Sequence, residues 1–245
     1  MSAQLFVVAT PIGHLDDMTF RAIDILKSVS VVAAEDTRQS AQLFKHYNIS
    51  TPLISDPGFK LVRAAQEHKI RVIPVPGACA AIAALSAVGL PSDRFSFEGF
   101  LPSKASQRIS QLEKLKDETQ TLIFYEAPHR ILDSVKNMAE VFGEDRPVGF
   151  AREITKTFET IKKMTLKELV TFIENDHNQE KGEIVVVVGG ATAEKDMAQD
   201  KLDELLKRLL QDLSVKAASQ LAADLTGIKK KVAYQRALEL TQDNK

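Results

Sequence analysis

Leu122-Ile123-Phe124-Tyr125-Glu126-Ala127-Pro128-His129-Arg130 is an apolar run that ends abruptly in acid, proline and base. The same grammar recurs at Val148-Gly149-Phe150-Ala151-Arg152-Glu153-Ile154-Thr155-Lys156 and at Val7-Val8-Ala9-Thr10-Pro11-Ile12-Gly13. It recurs again at Val31-Val32-Ala33-Ala34-Glu35-Asp36-Thr37-Arg38 and at Val72-Ile73-Pro74-Val75-Pro76-Gly77-Ala78. Short apolar runs of this kind are buried strands, and α/β proteins bind ligands just beyond the carboxyl ends of such strands. Polar residues gathered there predict an enzyme cleft built from sheet ends.

Between the runs lie helical patterns, and their alternation with strands predicts a parallel sheet covered by helices. The first half reads as strands at about 4–10, 29–34 and 71–75 with helices at 16–28, 37–47 and 78–88. Pro57 is well placed to open another helix after Asp56. Gly89-Leu90-Pro91-Ser92-Asp93 is a turn cluster, and it sets a domain boundary between an N-terminal α/β domain, 1–89, and a second, 90–192. The second domain reads as strands at 94–98, 121–125, 147–152, 158–164 and 184–188 with helices at 104–116, 128–142 and 166–174. The hairpin strand at 158–164 predicts a mixed sheet. From Asp200 the pattern becomes purely helical, and a third unit, 197–245, resembles a helix-turn-helix ending in Lys229, Lys230, Lys231 and Arg236. A small helical cap with a solvated lysine face reads equally well.

Composition narrows the function classes. A formal net charge of -1 excludes a polycation, so any nucleic acid must be held by a local basic face. One cysteine, Cys79, excludes internal disulfides and cysteine-based zinc sites, and it is expected to be buried. His129 has no clustered histidine or cysteine partners, so no metal site is predicted. No apolar stretch approaches the roughly 20 residues needed to span a bilayer, and residues 1–10 do not read as a signal peptide. A reducing, cytoplasmic location is expected, with no membrane partner.

The motifs also argue against several chemistries. Thr10-Pro11-Ile12-Gly13 lacks the full dinucleotide fingerprint, and the chain has neither a phosphate-binding P-loop nor a G-x-S-x-G elbow. Glu35-Asp36-Thr37-Arg38 places three charges at a strand end, although one acid can simply cap the next helix. Pro76-Gly77-Ala78-Cys79-Ala80-Ala81 would let a ligand lie close to the backbone, or would serve tight helix–sheet packing. The acid–base pairs at 125–130 and 152–156 are the strongest candidates for a site, with structural ion pairing as the alternative.

Together these motifs resemble the tetrapyrrole-methylase superfamily, and within it the small-subunit (16S) ribosomal RNA ribose-2'-O-methyltransferase I branch. The matching stretches are V-A-T-P-I-G (8–13), A-E-D-T-R (34–38), S-D-P-G-F (55–59) and P-G-A-C-A-A (76–81). They continue with L-P-S-D-R-F-S-F-E-G-F-L-P (90–102), F-Y-E-A-P-H-R (124–130), A-R-E-I-T-K (151–156) and K-G-E-I-V (181–185). Three departures stand out. His14 replaces the usual asparagine, and Ala78 replaces a proline. A family segment of about one strand–helix–strand repeat, roughly 30 residues, is absent between Ile49 and Asp56, where Thr51-Pro52-Leu53-Ile54-Ser55 bridges directly.

The resemblance implies a homodimer that binds S-adenosylmethionine between two α/β domains and methylates a cytidine ribose in small-subunit ribosomal RNA, within the 30S subunit. It places cofactor contacts at Pro11, Gly13, Asp56, Pro57, Pro76, Gly77, Ala80, Ala81, Tyr125, Glu126, Arg152 and Glu183. Glu153 as base and Lys156 as polariser become the catalytic pair. Arg38, His129 and Arg130 become phosphate grips, joined by Lys229, Lys230 and Lys231 of the tail. Two rivals remain: a tetrapyrrole methyltransferase and a non-catalytic nucleic-acid-binding protein.

Overall fold

The structure is a computed structural model that describes residues 3–55, 58–191 and 194–242. Asp56 and Pro57, expected at the cofactor, lie outside the described residues. Contacts divide the chain into two compact units, Met1–Lys116 with Gln120–Gly189, and Asp117–Thr119 with Gly190–Lys245. The stretches 1–89 and 90–189 therefore belong to one unit.

The best-buried part of that unit is a five-stranded sheet. Its strands are β5 (Phe95–Phe100), β6 (Thr121–Glu126), β7 (Pro147–Arg152), β8 (Thr160–Thr165) and β9 (Ile184–Val188), in the order β5-β6-β9-β7-β8. β9 reads Ile-Val-Val-Val-Val and every residue is buried, as a central strand covered on both faces demands. On one face α5 (Ala105–Leu115), α6 (Ile131–Phe142) and α7 (Leu166–Asn175) bury Leu112, Phe124, Met138, Phe150 and Ile173. On the other, α4 (Ala80–Ala87) packs Ala84 and Leu85 against Ile123, Val185 and Val187. The sheet is mixed as predicted, but the β7–β8 hairpin is only part of the reason. β9 also runs antiparallel to both β6 and β7, while β5 and β6 are parallel.

The N-terminal strands pair in parallel, as the alternation implied, but in two separate ladders. β1 (Gln4–Val8) pairs with β4 (Arg71–Val75), and β2 (Val32–Ala34) pairs with β3 (Leu53–Ser55). Around them lie α1 (Phe20–Ser28), α2 (Thr37–Tyr47) and α3 (Phe59–Glu67), with Leu26, Leu43, Phe44 and Val75 buried together. α1 begins later than its periodicity predicts, because Asp16 falls in a 3-10 turn, Leu15–Asp17, and Thr19 caps the helix. Val7, Val31, Ile54 and Phe59 remain 45%, 47%, 52% and 72% exposed, an unusual fate for residues in or beside strands of a parallel layer. Thr51–Ser55 bridges directly here, so the strand–helix–strand repeat that the family resemblance implies is absent from this layer.

The tail unit is three helices, α8 (Glu194–Leu209), α9 (Val215–Thr226) and α10 (Lys230–Gln242). Leu202, Leu206, Ala218, Ala222, Ala233 and Ala237 form its core, and small alanines let the helices approach closely. Ser214 caps α9, and Gly227 ends it at φ 72°, a left-handed conformation that favours glycine. Arg236 does not join the basic face; its guanidinium grips Asp203 at 2.6 Å and Glu239 at 2.8 Å. Lys229, Lys230 and Lys231 are exposed.

Candidate active site

The carboxyl ends of β1, β4, β6 and β7 bring most of the predicted residues to one place. After β4, the turn at Gly77 lies so close to β1 that a Cβ there would sit 3.0 Å from the Ala9 Cβ. Cys79 then enters α4 in an extended conformation without capping it, leaving the first helix amides to other partners. One of them, Ala81 N–H, donates to the Tyr125 hydroxyl at 3.2 Å, which ties the β4 loop to the end of β6. Cys79 is exposed rather than buried, because it stands at this mouth instead of on the packed face of α4.

Tyr125 meets the rings of Phe97 and Phe100 edge-on at 4.9 and 5.7 Å. Burial, reinforced by neighbouring Cys79 and Glu183, pushes its phenol up, so the hydroxyl stays protonated. A β-bulge between Phe97 and Gly99 keeps Phe97 and Phe100 on one side of β5, beside Ile123 and Tyr125. The row Phe95, Phe97, Phe100 is 41%, 54% and 61% exposed.

The turn after β7 is the tightest part of the site. Glu153 and Thr155 both have positive φ, 52° and 65°, costing about 1–3 kcal/mol each where the surrounding structure imposes them. The imposing contacts are visible. Glu153 N–H donates to Glu183 O at 2.9 Å, and Thr155 N–H to Glu159 Oε2 at 2.7 Å. From the N-terminal half, Gly13 presses against this turn: a Cβ there would lie 2.6 Å from Thr155 Oγ1 and 2.7 Å from Ile154 O and Lys156 Cγ. His14 N–H donates to Thr155 Oγ1 at 3.0 Å.

The result is an ion cluster. Lys156 Nζ donates to Glu153 Oε1 at 2.9 Å and to Glu183 Oε2 at 3.0 Å, while Glu183 N–H donates to the same Glu153 oxygen at 2.9 Å. Partial burial works to raise the Glu153 carboxyl, but the Lys156 bond, the Glu183 amide and the charges of Lys156 and Arg152 outweigh it and hold the group below its ordinary value. Burial likewise works to lower Lys156, and the two carboxylates more than reverse it. Lys156 is thus held as a cation and Glu153 as an anion.

Two residues expected at the cofactor turn inward. Glu126 is buried; it accepts from Ala127 N–H at 2.8 Å, Arg130 Nη2 at 2.7 Å and Ser134 Oγ at 2.6 Å. Arg130, expected to grip phosphate, also donates to Leu101 O at 3.3 Å, and its buried Nε has no partner among the described residues. Arg152 is 7% exposed and donates to Gln179 Oε1, Lys181 O and Phe158 O at 3.1, 3.3 and 3.0 Å, with a longer bond to Thr160 Oγ1. It holds the 177–183 and 153–160 segments together from beneath. His129 and Arg38 are exposed. Asp36 caps α2, and the Gln39 and Arg38 amides hold its carboxyl below the usual range.

Sequence reasoning missed His14, Asp16 and His46, which join Gly13, Thr155 and Lys156 around a cavity of about 460 Å³. The signal available was His14, already a departure from the family pattern. Among the described residues no group of three acid, histidine or cysteine side chains could hold a metal ion.

This fold and this sheet-edge site define a methyltransferase of the tetrapyrrole-methylase class. Residues 51–170 match the family model for Tetrapyrrole (Corrin/Porphyrin) Methylases, and residues 196–241 match the RsmI C-terminal HTH domain. Among solved structures, a putative diphthine synthase from Entamoeba histolytica superposes with a TM-score of 0.56 at 13% identity, covering 81% of this chain and 97% of that one. A cobalt precorrin-4 methyltransferase gives 0.51 at 14% identity over 76% and 94%. Likenesses so distant in sequence speak for the fold alone.

The curated relatives are far closer. "Ribosomal RNA small subunit methyltransferase I" of Pseudomonas aeruginosa is 49% identical over 273 residues, 96% of each chain, and that of Escherichia coli O157:H7 is 44% identical over 272, covering 96% and 95%. The chain belongs to the ribosomal RNA small subunit methyltransferase I family. Both alignments are longer than the chain's 245 residues, so the relatives carry residues that face gaps here, in keeping with the short Thr51–Ser55 bridge.

The protein is an S-adenosylmethionine-dependent methyltransferase, and its residues fit that cofactor. Small residues at Gly77, Ala80 and Ala81 and the uncapped start of α4 leave backbone open to a polar ligand. The aromatic group of Phe97, Phe100 and Tyr125, with Glu183 nearby, suits a sulfonium cation.

Proposed function

We infer that the chain transfers a methyl group from S-adenosylmethionine to the 2'-hydroxyl of a cytidine ribose in small-subunit ribosomal RNA. The observation that carries this reading is the convergence of the Gly13 and Gly77–Ala81 loops, from the β1–β4 ladder, with the Tyr125 and Glu153–Lys156 loops of the five-stranded sheet. The relatives' printed name supplies the RNA.

In-line methyl transfer demands alignment of nucleophile and methyl carbon above all. When bound, S-adenosylmethionine supplies the electrophilic methyl group. Pro11, Gly13, Pro76, Gly77, Ala80, Ala81, Tyr125 and Glu183 line its side of the site. Glu126 and Arg152 serve it from behind, by fixing the loops that touch it. Lys156 offers a cation to the nucleophilic oxygen, and Glu153 holds that cation in place. Glu153 is ill suited to take a proton, because its Oε1 already accepts two hydrogen bonds and its charge is stabilised.

RNA is gripped through phosphates by the exposed Lys229, Lys230 and Lys231 of the tail and by the exposed Arg38 and His129. Reading the 2'-hydroxyl distinguishes RNA from DNA. The working form is a homodimer in the cytoplasm; the exposed row Phe95, Phe97, Phe100 on edge strand β5 is an apolar face of the kind a second copy would cover. Functionally, 1–89, 90–192 and 197–245 act as two cofactor-binding halves and an RNA-binding tail.

A competition assay tests the reading. Labelled methyl should pass to undermethylated small ribosomal subunits and not to a porphyrinoid; the opposite preference supports a tetrapyrrole enzyme. Absence of S-adenosylmethionine binding by calorimetry supports a non-catalytic RNA-binding protein.

A further inference from the structure

A ribose hydroxyl is a weak nucleophile, and its proton must go somewhere as the new bond forms. Most candidates in and beside the site are already committed. Lys156 is a cation fixed between two carboxylates, and Glu153 is the anion that fixes it. Tyr125 keeps its proton. His14 Nδ1 accepts the Asp16 backbone N–H at 3.2 Å, so its lone pair points into the chain and its Nε2 is the donor.

His46 is arranged differently. Its Nε2 lies 3.4 Å from Asp16 Oδ1, and a proton donated there leaves the lone pair on Nδ1. The ring stands edge-on to Tyr47, with centroids 4.7 Å apart at 88°. The Tyr47 hydroxyl donates to Leu15 O at 2.6 Å, which pins the end of α2 to the loop carrying Asp16. Carboxylate, imidazole and cavity thus form the arrangement by which a buttressed histidine serves as a base. The cavity is open to solvent, with a volume of about 460 Å³.

We propose that His46, oriented by Asp16, accepts the ribose 2'-hydroxyl proton in the cavity formed with Gly13, His14, Thr155 and Lys156. This rests on the methyltransferase reading above. As the oxygen forms its bond to the methyl carbon, the S–CH3 bond breaks with its electron pair left on sulfur. The hydroxyl proton passes to His46 Nδ1, Asp16 stays ionised beside the resulting imidazolium, and the proton later leaves to solvent from this 43%-exposed side chain. The charged and titratable groups around His46 are Asp16, Asp17 and His14 from the loop after β1, Lys156 across the cavity, and Lys45 and Tyr47 on its own helix.

The test uses the full chain, labelled S-adenosylmethionine and undermethylated small subunits. His46→Gln should lower kcat about 100-fold or more, the scale of a lost general base, with KM for the subunit within about threefold. The rise of rate with pH on the acidic side should disappear. Asp16→Asn should lower kcat at least tenfold with KM for the subunit little changed, because the ring loses the carboxylate that orients it. Wild-type kcat and pH profile in His46→Gln overturn the proposal, as does a raised KM at unchanged kcat, which makes His46 an RNA grip. Wild-type kcat in Asp16→Asn also overturns it. If the wild type itself transfers no methyl to RNA, the methyltransferase reading falls and this assignment falls with it.

Discussion

Gly13 is the residue on which the two halves of the site depend most closely. A methyl group at that position would lie within 2.7 Å of Ile154 O and Lys156 Cγ, and backbone cannot yield as a flexible side chain can. Gly13→Ala should therefore displace the 153–157 turn and lower methyl transfer about 100-fold, the effect of a misplacement near 1 Å, as labelled-methyl assays would register. Activity within twofold of wild type would mean that the turn is free to move. Lys156 permits a second test. Its ammonium contributes stability that is fully present below its unfolded pKa, about 10.4, and lost as pH rises through the raised folded value. Glu153, lowered on folding, contributes stability present above its unfolded pKa, about 4.3, and lost as pH falls through its folded value. Lys156→Met should remove the alkaline part of this dependence from the melting temperature and much of the acid part with it, because the Lys156 bond is the first of the influences that hold Glu153 low.

At the level of elements, Arg152 and the basic helix α10 make separable predictions. Arg152→Leu removes four donated hydrogen bonds beneath the 177–183 and 153–160 segments and leaves Gln179 Oε1 and two carbonyls without their donors. A loss of about 3 kcal/mol is expected, seen as a lower urea midpoint. Lys229, Lys230 and Lys231 changed together to Glu should weaken RNA binding in a filter assay at physiological salt while sparing cofactor binding. Unchanged RNA affinity would discard the tail's role.

These elements were legible in the sequence to different degrees. α2, β4, β7 and β9 fall where apolar periodicity and punctuation place them, because a strand that ends at a functional edge changes composition there. The antiparallel placement of β9 was not legible. An apolar pentapeptide carries no record of its partners' direction. Nor were the inward turns of Glu126 and Arg152, since composition marks charge at a strand end but not which way the side chain faces. The His46–Asp16 pair, 30 residues apart, is joined only by the folded path of α2 back to the β1 loop.

For the whole molecule, the decisive feature is the contrast between a five-stranded sheet with a fully buried central strand and an N-terminal layer split into two short ladders. Val7, Val31, Ile54 and Phe59 are exposed in this layer, which lacks the strand–helix–strand unit that the family resemblance implies. Grafting the corresponding segment of the Pseudomonas relative between Ile49 and Asp56 should raise the melting temperature; an unchanged or lower value would show that the short bridge already satisfies this layer. The central claim is chemical, and one measurement reaches it most directly: incubation with labelled S-adenosylmethionine and undermethylated small ribosomal subunits, followed by nucleoside analysis of the RNA. The label should appear in 2'-O-methylcytidine. Label on a base, on protein or nowhere would contradict the account.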